Sequence, residues 1–342
     1  MKNYVLLWHD SVRADGGIKA KEDTNEFFKA EGYKVIDTPY GKVAKVLYVF
    51  FVLPFIFLTI RQGNVIVQFP SGKVFLRRWI LNGIKYLSGA RLILVIHDIE
   101  ALRLHVGKEH ADENKQELEF LQMADGLISL SPKMTAWLRD RNVVAPITEL
   151  NIWDYDNPQP IQPKHAYDKS LCFAGNLVKS TFLKKYALKN KLLLFGKEPQ
   201  LDEYASAITY QGVFSPEELP TKLKADFGLI WDGPEVTTCS GNFGEYLKYN
   251  APHKTSLYLS SGLPVIVWEE AAVAKVIKRY GCGLTVKSLT EVSDILDCLT
   301  PREYTELYEN TVRIAKKMRH GYFMRQAIET LIKKLDDEEK NE

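Results

Sequence analysis

The sequence has no closely spaced cysteine pair. Cys172, Cys239, Cys282 and Cys298 lie far apart in apolar or mixed surroundings, which excludes a CxxC redox centre and a structural zinc site and predicts reduced thiols. Net charge is nearly absent as well. The chain carries 45 Lys and Arg against 43 Asp and Glu, a formal +2, so bulk nucleic-acid binding, which needs a cationic excess, is not expected. No G-x-G-x-x-G occurs, and a hydride-transfer reading loses its main support. The apolar part of MKNYVLLWHD is too short for a signal peptide and polar residues follow it, which predicts a cytoplasmic chain that is not exported. One further lack is local. Between Asp37 and Asp98 there is no acidic residue at all.

What is present is an ordinary composition, 342 residues with 46% hydrophobic and 26% charged, long enough for two cores. The first half alternates short β-rich runs with helical stretches: YVLLW, YKVID, NVIVQF, RLILVIHD, GLISLS and ITELNI. Strands without polar alternation, separated by helices, are the pattern of a parallel sheet covered on both faces. Gly32 reads as a helix stop, and Ser131-Pro132 as an N-cap with a first-turn proline. Three prolines between 158 and 163 then mark a linker. Beyond it the alternation restarts with SLCFAGN, KLLLFG, FGLIW, PVIVW and GLTV.

The expected fold is therefore α/β, with two doubly wound parallel-sheet domains. Their expected extents are 1–153 for the N-terminal domain, 154–169 for the linker, and 170–320 for the C-terminal domain. A C-terminal helix and a frayed acidic tail would occupy 321–342. Open sheets of this kind bind ligands beyond the carboxyl ends of their strands, which makes a cleft between two such domains the default site.

The stretch NAPHKTSLYLSSGLPVIVW (250–268) carries the most specific chemistry. A helix opening at Pro252 leaves first-turn N–H groups without partners and about half a positive charge at its head. His253, Lys254 and Thr255 would project from the same turn, so amides, an ammonium and a hydroxyl converge where a diphosphate fits. Gly262-Leu263-Pro264 ends that helix, and Glu269 lands at the end of the next strand, where a carboxylate suits ribose hydroxyls. Together these suit a nucleotide.

The run FGLIWDG…TCSGNFGEYLKYNAPHKTSLYLSSGLPVIVWEEAA closely resembles the donor half of bacterial galactofuranosyltransferases, which build O-antigen and capsular glycans from UDP-galactofuranose. RADGGIKAKED, LILVIHDIEALR and the FAGN of 173–176 extend the resemblance over nearly the whole chain. More distantly the sequence is similar to the glucosyltransferases that extend glycans on streptococcal adhesins. The resemblance implies the GT-B architecture and metal-independent transfer of a hexosyl group from UDP to a glycan hydroxyl, with no cofactor.

It also places residues. Gly175 and Asn176 open the donor domain, and Lys179 falls where the adhesin-modifying relatives place a phosphate-contacting arginine; lysine keeps the charge but loses the fork. TYQGVFSPEEL resembles the base-binding segment, with Val213 and Phe214 near the uracil or in the core. Trp231-Asp232-Gly233 follows a buried strand, and Asp232 would hold sugar hydroxyls or cap the next turn. In the first half, Gly16 and Gly17 would let backbone approach the diphosphate, with Lys19 adding charge. His97 and Asp98 end an apolar strand, where packing explains polar residues poorly. Asp98 is the expected general base, His97 assists or replaces it, and Asp10 is held in reserve. Asp154-Tyr155-Asp156 spells a metal-binding D-x-D, but it opens the proline linker, and no metal ligand is expected.

The acid-free block carries Lys42, Lys45, Arg61, Lys73, Arg77, Arg78, Lys85 and Arg91 around the apolar run at 43–60. Its length and the interrupting Lys45 and Pro54 argue against a span. An interfacial helix that docks residues 42–91 on anionic lipid, toward a lipid-linked glycan acceptor, or alternatively an ordinary core helix, is expected. The adhesin-modifying relatives imply self-association. Two other readings stay open: a catalytically silent sugar-nucleotide-binding subunit, and a transferase that takes UDP-glucose or UDP-galactopyranose.

Overall fold

The structure, a computed structural model, describes residues 2–9, 16–164 and 166–341. Asp10 lies outside the described residues, as do the five residues between it and Gly16. The chain divides into two compact units: Met1–Arg13, Lys21–Leu150 and Met324–Glu342 form the first, and Ala14–Ala20 with Asn151–Phe323 form the second.

The first unit holds β1 (Asn3–Leu7), most of α1 (Gly16–Ala30), β2 (Lys34–Asp37), α2 (Lys42–Phe51), α3 (Leu53–Thr59), β3 (Asn64–Phe69), α4 (Val74–Leu87), β4 (Arg91–Ile96), α5 (Glu100–Arg103), α6 (Ala111–Gln122), β5 (Gly126–Ser129), α7 (Pro132–Arg139) and β6 (Ile147–Glu149). Its strands run parallel in the order β2-β1-β3-β4-β5-β6. Strands β3, β4 and β5 are buried almost throughout, as their largely apolar runs predict. The expected local signals appear in place. Gly32 takes φ 81° after α1, and the Ser131 hydroxyl accepts from the Met134 N–H at 3.1 Å.

The second unit contains β7 (Leu171–Ala174), β8 (Leu192–Phe195), β9 (Ile208–Gly212), β10 (Phe227–Ile230), α8 (Gly241–Tyr246), α9 (His253–Ser260), β11 (Val265–Trp268), α10 (Ala274–Tyr280), β12 (Gly283–Val286), α11 (Val292–Cys298) and α12 (Pro301–Met318). Its parallel order is β12-β11-β10-β7-β8-β9. Chain direction across this sheet reverses between β7 and β10, so the switch point falls beyond their carboxyl ends. Strand β9 is absent from the sequence reading. It is an edge strand with alternating half-exposed residues, so it lacks the continuous apolar run that marks its neighbours.

Two segments differ from expectation. The proline-rich stretch is packed: Trp153, Asp154, Tyr155 and Asn157 are buried, the Ser256 hydroxyl donates to the Trp153 carbonyl at 2.8 Å, and Gln162 N–H reaches the Ser261 carbonyl at 3.0 Å. The Asp154 carboxylate accepts from the Phe323 N–H at 3.1 Å, so the aspartate of the D-x-D holds the start of the last helix.

That helix, α13 (Tyr322–Glu339), follows a break at Gly321 (φ 69°) and takes in Asp336 to Glu339 of the acidic tail expected to fray. Beyond its first two residues it belongs to the first unit, where Leu331 and Leu335 pack on Gly126 of β5. Arg91 and Asp336 pair at 2.7 Å, giving the tail a partner that local sequence does not reveal. Replacing the fully buried Leu331 with Ala is expected to destabilise the first unit by about 2–5 kcal/mol, read as a lowered urea midpoint.

Candidate donor and catalytic residues

Strands β7 and β10 lie side by side, so the turns that leave their carboxyl ends are neighbours. Gly175 and Asn176 follow β7, and Trp231, Asp232 and Gly233 follow β10. The Gly233 carbonyl accepts from the Phe182 N–H at 3.1 Å, which ties the two turns together. Helix α9 opens against them. Its N-cap is Pro252, in extended conformation, and no side chain caps the helix, as expected for a residue that cannot supply an oxygen.

Lys254 is the centre of this arrangement. Its ammonium donates to Asp232 Oδ2 at 2.8 Å and to the Trp231 carbonyl at 3.0 Å, and sits 4.7 Å from the centre of the Phe173 ring. The pair is largely buried, with side-chain exposures of 13% and 21%. An ammonium has three N–H groups, so two are spent on fixing its position at the helix head. Tyr258, one turn along α9 and fully buried, accepts the Ala174 N–H at 2.6 Å and so holds the end of β7 to the same helix. Gly228 permits this, because a Cβ there would stand 2.2 Å from the Tyr258 ring.

His253 and Thr255 flank Lys254. The Thr255 side chain is fully buried, and its Oγ1 has no hydrogen-bond partner. The His253 ring lies against Tyr155 with centroids 4.9 Å apart, and its Nε2 is also without a partner. Although part of the residue reaches the surface, that nitrogen is closed to solvent. Burial, followed by the nearby Lys19 ammonium, pushes the His253 pKa down from 6.5 to about 3.

Lys19 itself is buried, donates to the Asp156 carbonyl at 2.8 Å and lies 4.8 Å from the Tyr155 ring centre. It and Gly17 belong to the opening turn of α1, as does Gly16, and that turn clusters with the second unit. Lys179 lies 4.4 Å from the ring centre of Phe243 in α8. Glu269 directly follows β11, half-buried, its N–H on the Val286 carbonyl at 2.9 Å and its carboxylate in no ion pair among the described residues. Val213 and Phe214 leave β9: Val213 is exposed, and Phe214 packs toward Phe195 with centroids 6.1 Å apart.

In the first unit, His97 and Asp98 follow β4. The Gln68 amide nitrogen donates to the Lys21 carbonyl at 2.9 Å and to Asn25 Oδ1 at 2.6 Å. A carbonyl only accepts, so the Gln68 orientation is fixed and its Oε1 faces His97 Nε2 at 2.6 Å. Nε2 therefore carries a proton, and in the neutral ring Nδ1 is the basic nitrogen. Asp98 pairs with Arg103 at 2.9 Å, and the same guanidinium reaches Glu100 at 2.5 Å. Among the described residues, no group of three or more His, Cys, Asp or Glu is placed to hold a metal ion.

Comparison with known proteins identifies the chemistry. The glucosyltransferase 3-like N-terminal domain model matches residues 2–152, and its C-terminal counterpart matches residues 171–331. The chain belongs to the glucosyltransferase 3-like family of glycosyltransferases. It is 33% identical over 335 residues to the β-1,6-galactofuranosyltransferase WbbI of Escherichia coli K12, covering 96% of this chain and 98% of that one. Glucosyltransferase 3 of Streptococcus gordonii is 29% identical over 283 residues, 80% of each chain. Among solved structures, Anabaena HepE in complex with UDP aligns with a TM-score of 0.58 at 12% identity, over 97% of this chain and 100% of that one. WaaG, a glycosyltransferase of lipopolysaccharide biosynthesis, gives 0.57 at 12% identity over 95% and 98%. Two parallel doubly wound sheets in series are the GT-B fold.

Several neighbours in this glycosyltransferase escape sequence reading. Gln68 has a visible signal, a polar residue inside the otherwise apolar strand NVIVQF. Arg103, Phe243 and Tyr258 have none, since their roles arise from contacts between distant segments. One consequence of the His253 environment is measurable. Below about pH 6.5 the unfolded chain binds a proton that the folded protein takes up only near pH 3. Stability should therefore fall with acidification across that window, by up to about 1.4 kcal/mol per pH unit from this group. Urea unfolding of His253→Phe is expected to show a shallower acid dependence than the wild type.

Proposed function

We propose that this glycosyltransferase moves a hexosyl group, galactofuranose, from a UDP-sugar to a hydroxyl of a lipid-linked glycan. The observation that carries the donor assignment is the Lys254 ammonium, pinned by Asp232 and the Trp231 carbonyl at the uncapped head of α9. A pyrophosphate at that head meets amide dipoles and a fixed cation, which stabilise the UDP leaving group as its charge develops. Lys179 would add a second cation, and Glu269 would accept the ribose hydroxyls. Val213 and Phe214 border the base, and Gly175, Asn176 and Gly233 let backbone approach the donor. Gly16 and Gly17 open the helix that carries Lys19 toward the same group. WbbI, the galactofuranosyltransferase relative, supports the choice of sugar, and UDP in the HepE complex supports the choice of nucleotide.

Transfer with inversion needs a base that takes the acceptor proton as its oxygen attacks the anomeric carbon. Asp98 is held by Arg103, whereas His97 is oriented by Gln68 with its proton on Nε2. This geometry favours His97 Nδ1 as the proton acceptor, with Asp98 supporting it. The assignment reverses the sequence-based preference for Asp98, because an aspartate already paired to a guanidinium is a weaker base than a free one.

Three experiments test this reading. Incubation with a panel of UDP-sugars and a glycan acceptor should release UDP fastest from UDP-galactofuranose and continue in excess EDTA. Lys254→Ala should weaken UDP binding about 10–100-fold, the scale of a charge-assisted hydrogen bond; undiminished UDP affinity in that variant would refute the donor site. For the base, Gln68→Glu sets a carboxylate against Nε2 and should move the acid limb of the kcat/KM profile to higher pH, since a nearby negative charge favours the imidazolium. A merely structural role for Gln68 would leave the limb in place.

A further inference from the structure

We infer that the outer face of α2, α3 and α4 is a membrane-docking surface whose occupant is an anionic phospholipid bilayer. The inference draws its purpose from the lipid-linked acceptor proposed above, but its evidence lies in the first unit alone. Val43, Leu47 and Phe51 recur every four residues along α2 and all face outward. Phe51 is 67% exposed, Phe55 on α3 is 69% exposed and Trp79 on α4 is 52% exposed. The Phe50 and Trp79 rings meet at 4.7 Å, which joins the α2 stripe to the α4 stripe as one surface. Apolar side chains scattered singly need no explanation, but a contiguous aromatic face does.

The same helices are anchored from within. Val49, Leu53 and Phe57 are buried, and Gly83 of α4 leaves room for the Phe57 ring, which a Cβ would meet at 2.9 Å. The ten-residue α2 and seven-residue α3 are bent by 41° at their junction. A span needs about 20 apolar residues in one helix, and no single helix among the described residues is long and apolar enough. A short, amphipathic, anchored pair lies along an interface instead.

Charge identifies the interface. The structure divides the eight cations of the acid-free block. Lys45 lies 4.9 Å from the centre of the Trp8 ring. Arg77 donates to the Ser71 and Gly72 carbonyls; Arg78 pairs with Glu119, Lys85 with Asp125, and Arg91 with Asp336. Lys42, Arg61 and Lys73 are exposed and take part in no ion pair among the described residues. They stand where α2 begins, just beyond the end of α3, and at the N-cap of α4, around the apolar face and not within it. An open hollow of about 660 Å³ beside Phe75 and Trp79 is bordered by Lys73 and Arg78, a setting for a lipid phosphate. A second copy of the chain fits less well, because a two-fold contact through this face would set like charges against each other.

The test is sedimentation of the full chain with phosphatidylcholine vesicles that contain or lack phosphatidylglycerol. Binding should require the anionic lipid and fall with added salt. Lys42→Gln, Arg61→Gln and Lys73→Gln combined should lower the partition coefficient about 100-fold, about fivefold per cation. Phe51→Ser with Phe55→Ser should abolish binding, with UDP affinity and the unfolding midpoint kept as evidence of an intact fold. Wild-type protein that ignores anionic vesicles, or a dimer by light scattering that the double serine variant dissolves, overturns the inference. Turnover on a water-soluble glycan acceptor should be unchanged in both variants. Its absence from the wild type would count against the proposed transfer reaction and leave the docking result standing.

Discussion

The Lys254–Asp232 ion pair is the contact on which the donor half depends. It joins the head of α9 to the turn after β10 at the point where the sheet reverses direction, and the Phe173 ring closes over it from β7. Desolvating an ammonium is costly, and the opposing carboxylate and the Trp231 carbonyl offset that cost. Removing either charge leaves the other buried without compensation. A local cation at a helix head thus becomes a fixed, preorganised charge, which costs no reorganisation when a phosphate arrives.

Around that pair the second unit is organised to keep the turns in place. Tyr258 holds the end of β7 by accepting the Ala174 N–H, and Gly228 on β10 makes room for its ring. Asn157 donates to Ser260 at the far end of the same helix, so the proline-rich stretch braces α9 along its length. The first unit solves a different problem. Its central strands are buried throughout, yet Gln68 sits among them with both ends of its amide satisfied, and this fixes the His97 tautomer. A buried amide with every partner in place is a rigid device for aiming a ring.

Much of the fold was legible because buried parallel strands write themselves as unbroken apolar runs, and RLILVI and PVIVW are both read correctly. The edge strand β9 was not, since ITYQG carries no such run. The acidic tail read as frayed from its composition, but Arg91 and the β5 surface hold it in α13. At the site, the residue types at 253–255 and 231–233 were visible as motifs. Their mutual contact was not, because it joins segments more than twenty residues apart in sequence.

The sequence by itself determined the two sheets, the helix that opens at Pro252 and the acid-free block, since each depends on local periodicity, a proline or a simple absence. Tertiary structure alone decided which charges are spent. It tied Lys254 to Asp232, Asp98 to Arg103, and five of the eight basic residues to internal partners. The physical reason is that a side chain's chemistry is written in its type, whereas its electrostatic partner is set by chain segments that meet only after folding.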